Sequence, residues 1–202
     1  MKYFSESSTN SIDMKKIFLD IIPVLVGILS ALFISNLQQA RSERSYIENS
    51  ISFIIKENQE NIAELTYAIE RQTSFIDTLS KYLDDDQITL EGVMRKARGV
   101  YTPDLKSTTW KFLVQDSKHT LVSYEFINRL AEIEKYEVLV NRYNVKLGDL
   151  VFQQAFFEDP RLKDVTLALF SDFGPIQQTM IKELESFNEF AIKEFDMELP
   201  EK

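Results

Sequence analysis

Asp20 is the one formal charge in an otherwise apolar run, Ile17–Leu37, which reads IFLDIIPVLVGILSALFISNL. A carboxylate within hydrocarbon costs at least about 2.5–3.5 kcal/mol, so an ionisable side chain there is a candidate to carry a proton or a polar contact. One turn from the end of the run, Asp20 can also reach the headgroup interface, which is the plainer use. Gly27, Ala31 and Ser35 follow at four-residue spacing. They form a face small enough for two helix backbones to approach closely within a membrane. Trp110 and His119, near Tyr101 and Tyr124, form a candidate small-ligand pocket with the indole as platform. The competing reading is a core tryptophan and a half-exposed histidine at a helix end, since aromatic residues dominate ordinary cores.

Other chemistry is excluded by residue type. The chain has one histidine and no cysteine, so there is no HExxH and no basis for a zinc site or a thiol nucleophile. No Gly-rich phosphate loop or GxSxG stretch occurs. Asp84-Asp85-Asp86 lacks the alternating ligands and the turn glycine of a calcium loop. It reads as a charged loop that stops a helix. Glu132 with Glu134, and Glu183 with Glu185, read as solvated faces of an acidic chain. No nucleophile, base and orienting group can be named together, so the expectation is no enzyme, no catalytic residue, no metal and no cofactor.

The elements that position these residues begin with the apolar run. At about 1.5 Å per residue its helix reaches roughly 31 Å, against a hydrocarbon core of about 30 Å. A cleaved signal peptide would need a small-residue cleavage pattern after the apolar core, and Gln38-Gln39-Ala40 does not supply one. A buried core helix would be shorter or show a polar stripe, yet Ile21–Ile34 has only Ser30 as a polar side chain. The expectation is a retained single-pass anchor. Lys15 and Lys16 precede it and Arg41 and Arg44 follow, so charge leaves its orientation nearly balanced. The short tail and the large acidic domain favour tail inside and domain outside, which in a Gram-negative cell means an inner-membrane protein with a periplasmic domain.

The domains expected are a polar tail at 1–16, a transmembrane helix at 17–37 and a helical domain at 38–199. The whole chain carries a net charge of −9. Residues 1–37 are neutral, so that charge belongs to the domain and argues against nucleic acid as a partner. Few glycines and prolines, five of each, point to long helices. From Ile47 a series through Ile51, Ile54, Asn58, Ile62, Leu65, Ile69, Gln72, Ile76, Leu79 and Leu83 repeats every 3.6 residues, the period of a straight helix on a globular core. The membrane helix is therefore expected to continue as the first helix of the domain until the aspartates. A short helix at Leu90–Arg98 ends on Gly99, and another opens at Ser107–Thr109. Ser123 caps a second long helix running to about Glu158. Asp159-Pro160 starts a helix expected to end at Phe173-Gly174, and Pro175 opens a last one. The fold class is all-α: an N-terminal transmembrane helix continuing into an antiparallel helical bundle.

Two stretches carry resemblances. LVGILSALFISNLQQAR and, later, TTWKFLVQDSKHTLVSYEFINRLAEIEKYE resemble an uncharacterised family of bacterial single-pass membrane proteins, a domain of unknown function common in Bacteroidetes. That family usually has Glu at or beside Pro23 and Trp after the residue matching Asn36, where this chain has Leu37. The resemblance implies a membrane-anchored helical domain without a known reaction. Phe18-Leu19-Asp20-Ile21-Ile22, with Val24-Leu25-Val26, is similar to the membrane helix of proton-driven motor subunits of the ExbD/TolR/MotB type. That likeness implies a proton on Asp20 and nothing about the rest of the chain. The function expected is an anchored, non-enzymatic binding, scaffold or accessory module for a protein partner or small ligand, self-associating or joined to another membrane protein. The alternative is a subunit of an ion-coupled motor or transporter using Asp20.

Overall fold

The computed structural model describes residues 14–115, 121–150, 159 and 161–197, with side chains from residue 21 onward except at 112, 114 and 115. Among these residues there are five helices and no strand: α1 (Met14–Lys81), α2 (Leu90–Lys96), α3 (Thr108–Gln115), α4 (Tyr124–Asp149) and α5 (Arg161–Phe195). The chain is all-α and divides into two units, Met1–Tyr46 and Ile47–Lys202.

In the first unit α1 carries residues 21–42 exposed, including every large apolar side chain from Ile21 to Leu37. This is the one helix among the described residues long and apolar enough to cross a membrane. Pro23 sits inside it without ending it.

In the second unit three long helices bury apolar rows against one another. Asn58 of α1 faces Asn188 of α5, Phe75 faces Phe170, and Lys163 reaches the Tyr82 carbonyl. One step up α1 is thus one step down α5, so the two are antiparallel. Phe126 against Phe187 and Tyr143 stacked on Phe173 at 5.2 Å set the same antiparallel relation between α4 and α5.

The buried row of α1 differs from the 3.6-residue series expected. It runs Ile47, Ile51, Ile54, Asn58, Asn61, Leu65, Ala68, Gln72, Phe75, Leu79, in alternating steps of four and three. From Asn58 onward the row takes Asn61, Ala68 and Phe75, while Ile62, Ile69 and Ile76 stand half-buried at its edge. The α5 row from Thr166 to Ala191 steps the same way. A 3.5-residue repeat lets long helices keep one seam in contact, which a straight 3.6-residue stripe would lose. The expected series leaves this seam at Asn61, Ala68 and Phe75, each of which stands one residue before an isoleucine that a count of apolar types favours.

The expected break at Phe173-Gly174 is also corrected, since α5 runs unbroken through Gly174 and Pro175. Pro175 is exposed and Phe173 and Gln177 on either side are buried, so the proline lies on the outer face while the buried row continues. Other local signals hold. The Ser123 hydroxyl accepts from the Phe126 N–H at 3.1 Å, and the Asp159 carboxylate accepts from the Arg161 N–H at 3.0 Å. Gly99 has φ 91° after Arg98 at φ 62°, so the chain leaves α2 through two left-handed residues. The end expected for α4 near Glu158 lies outside the described residues, as does Pro160.

Candidate functional site

Beyond Gly99 the chain runs without regular structure to Ser107, laid along one face of α1. Such a segment brings peptide groups with no helical partners, and these must find others wherever they are buried. The α1 side chains supply them in sequence. Gln72 donates from Nε2 to the Tyr101 carbonyl at 3.0 Å. One Glu64 oxygen accepts from the Tyr101 hydroxyl at 2.8 Å and from the Asp104 N–H at 3.1 Å. Asn61 makes a pair, donating to the Lys106 carbonyl at 2.7 Å and accepting from its N–H at 2.8 Å. Glu60 pairs with the Lys106 ammonium at 2.6 Å. Glu57 then accepts from the N–H groups of Thr108 and Thr109 at 2.6 and 3.1 Å. A carboxylate from α1 thereby caps the start of α3, complementing its dipole. From α4, Asn144 donates to the Pro103 carbonyl at 2.8 Å.

These contacts perturb the groups that make them. The Tyr101 phenol is pushed above the usual tyrosine range because its hydroxyl donates to Glu64, with partial burial adding to this. The hydrogen bond and charge of Lys106 hold the Glu60 carboxyl below the usual range, and Glu60 in turn raises the Lys106 ammonium. Tyr67 meets the Tyr101 ring edge-on, centroids 4.9 Å apart.

The strap delivers α3, and α3 delivers Trp110 to the core, where it is 7% exposed. Lys111 lies over that indole at 5.4 Å and pairs with the buried Glu137 of α4 at 3.0 Å. The expected pocket of Trp110 with Tyr124 is not what these residues form. Tyr124 opens α4 with 82% of its surface exposed, whereas the indole is enclosed by the bundle. His119 lies outside the described residues. The Ser123 cap accounts for this placement: it sets Phe126 inward and leaves Tyr124, two residues earlier, on the outer side.

Gly27, Ala31 and Ser35 are all exposed on α1, and a Cβ added at Gly27 would meet nothing within 4 Å. Asp20 belongs to α1, but its side chain is outside the described set. On α4, Tyr124, Val138 and Val145 are exposed at 82, 51 and 65%, and Ala131 completes their seven-residue spacing on the outer side. At the first turns of α4, Arg129 stacks on Phe190 at 4.4 Å and bonds Glu125 and Ser186. No cluster of three or more metal-ligating side chains occurs among the described residues.

The polar residues that organise the bundle, Glu57, Asn61, Glu64, Gln72 and Asn144, were not picked out as a group from sequence. A signal was present, because Asn58 and Gln72 were needed to complete the row of core positions. An amide at a core position announces a buried partner. Comparison with protein-family models, with curated proteins and with solved structures returns no match.

Proposed function

We propose that this protein is a membrane-anchored, non-enzymatic helical module, held by α1 in the bacterial inner membrane with its bundle on the periplasmic side, that binds a protein partner. The observation that carries this is α1 itself. Its residues 21–37 expose a predominantly apolar surface, and further along the same helix supplies a buried row of the bundle. Apolar side chains exposed for that length are stable in lipid rather than in water. The polar side chains of α1 and α4 that face the strap are engaged in holding its main chain, which favours a scaffold over a catalyst. Kinship with the uncharacterised Bacteroidetes family is part of this reading and rests on the two stretches quoted above.

The Gly27, Ala31 and Ser35 face, open at its glycine, supports association of the membrane helix with a second copy or another membrane protein. The exposed residues of α4 support the binding role. The test is protease treatment of sealed membranes, followed by mild-detergent purification through a carboxy-terminal tag. The expected result is a bundle cleaved only from the periplasmic side and a partner lost with Val138→Lys plus Val145→Lys but kept with Asp20→Asn. Cleavage from the cytoplasmic side overturns the topology. A polytopic partner that stays bound to Asp20→Asn while its activity disappears establishes the ion-coupled reading instead.

A further inference from the structure

Gln177 is 0% exposed at the centre of the α5 row, and among the described residues neither its amide nitrogen nor its amide oxygen has a hydrogen-bond partner. A buried amide left unpaired is costly, and a core that carries one needs a reason for it. The antiparallel register supplies that reason. Because Asn58 faces Asn188 and Phe75 faces Phe170, the α1 residue facing Gln177 is Ala68, which offers no polar atom. One turn further along α1 lies Gln72, and one turn beyond Asn58 lies Asn61. Both are buried amides on the same row.

We propose that α1 has two registers against the α4–α5 hairpin, one helical turn apart, and that the strap at 100–107 is the latch selecting the register seen here. Moving α1 toward its amino terminus by one turn, about 5 Å, sets Gln72 against Gln177 and Asn61 against Asn188. Both rows step by four and three, so each buried apolar position of α1 then meets the next buried position of α5. Leu65 passes from Met180 to Leu184, Ala68 from Gln177 to Met180, and Phe75 from Phe170 to Phe173. Packed helices shift between discrete arrangements of this kind because interdigitated side chains allow no intermediate.

The two registers compete for the same two amides. In the observed one, Asn61 holds Lys106 and Gln72 holds Tyr101, and the strap stays down. In the shifted one those amides turn to α5, the strap loses these two of its anchors, and Asn58 comes to face Ala191. Whatever lifts the strap therefore frees α1 to slide, and whatever pulls on α1 releases the strap. Coupling of this reciprocal form is what linkage between two sites requires.

The chain contains no cysteine, so engineered pairs report the register directly. Leu65→Cys with Met180→Cys reads the observed register, and Ala68→Cys with Met180→Cys reads the shifted one. Gln72→Cys with Met180→Cys, a further step out, is the control. The full chain is reconstituted in lipid vesicles and oxidised mildly. The first pair should bridge at once, and the second at a slower rate matching a minor state of about 0.1–10%. Replacing 101–106 by Gly and Ser should speed the second pair at least about tenfold, and adding Gln177→Leu should abolish it, since the shifted register gains from that amide. The first pair, formed in each background, certifies the fold. Where the Gly-Ser strap fails that check, Tyr101→Phe with Lys106→Ala loosens the same segment. Bridging of the second pair no faster than the control overturns the proposal, as does bridging indifferent to either Gln177→Leu or the strap.

Discussion

The side-chain amide of Asn61 takes the place of a neighbouring peptide for Lys106, donating to its carbonyl at 2.7 Å and accepting from its N–H at 2.8 Å. A helix cannot offer its own peptide groups sideways, because they are spent along its axis. A side-chain amide, with a donor and an acceptor side by side, can meet both halves of an extended peptide from a helical surface. This pair pins the strap to α1 between the Gln72 anchor and the Glu57 cap, nearer the cap.

Asn61→Leu should therefore destabilise the bundle by about 2–4 kcal/mol, since it leaves a peptide N–H and C=O unpaired as well as removing two bonds. Asn61→Asp, which keeps only the acceptor and sets a carboxylate against the carbonyl, should be no better. Urea unfolding with an unchanged m-value would show the loss as a lowered midpoint.

Lys163 is buried at 2% exposure and donates to the carbonyls of Tyr82 and Asp85 at 2.8 and 2.9 Å, just past the last turn of α1. Its ammonium thus stands at the negative end of the α1 dipole and ties α5 to that end. Lys163→Met keeps the stem and removes the cap. It should cost about 1.5–3 kcal/mol, measured by thermal or urea unfolding, with faster amide exchange over 81–86 as the local signature.

Gly174 lies within α5, and a Cβ there would meet nothing within 4 Å. Gly174→Ala should stabilise the protein by about 0.5–1 kcal/mol only when Pro175 is also replaced, because the proline ring crowds the Cβ of a helical residue directly before it. Pro175→Ala should restore the missing helical bond on the exposed side and also raise the unfolding midpoint. A drop in stability with Pro175→Ala, alone or with Gly174→Ala, would mean that α5 bends at this point for a purpose.

The strap should weaken at both ends of the pH scale. Glu60 is held below its usual range by Lys106, so its contribution is present above the ordinary glutamate pKa and lost as pH falls through the folded value. Tyr101 is raised by its bond to Glu64, so its contribution is present below the ordinary tyrosine pKa and lost as pH rises through the folded value. Subtracting the ultraviolet titration of Tyr101→Phe from that of the wild type isolates one of the eight tyrosines. Its midpoint should lie above those of the rest, and Glu64→Gln should bring it down.

Much of the fold was legible because it depended on local rules. The apolar stretch after Lys16 has the length of a bilayer, and Ser123, Asp159 and Gly99 are capping residues whose effect needs only their immediate neighbours. The Gly174-Pro175 pair misled because the propensity of two residues was set against a buried row of eight, and packing outweighs propensity in a long helix. The 3.5-residue seam was missed for a related reason: Asn61 does not look like a core residue until its partner, the Lys106 peptide, is in place, nor Ala68 until the bundle buries it. Trp110 and Tyr124 were grouped because they are near in sequence, while the cap at Ser123 sends the helix residues around it in opposite directions.

By itself the sequence determined the helical class, an apolar helix long enough for a membrane, most of the helix starts and the acidic character of the domain. Each of these follows from composition, period or a cap, which act over a turn or two. Only the tertiary structure decided which face of α1 is inside, that five α1 side chains would hold the strap, and that Gln177 would be buried in the α5 row. Those outcomes depend on which residues of α1, α4 and α5 meet at one level of the bundle. That register joins positions more than a hundred residues apart, and no local pattern contains it.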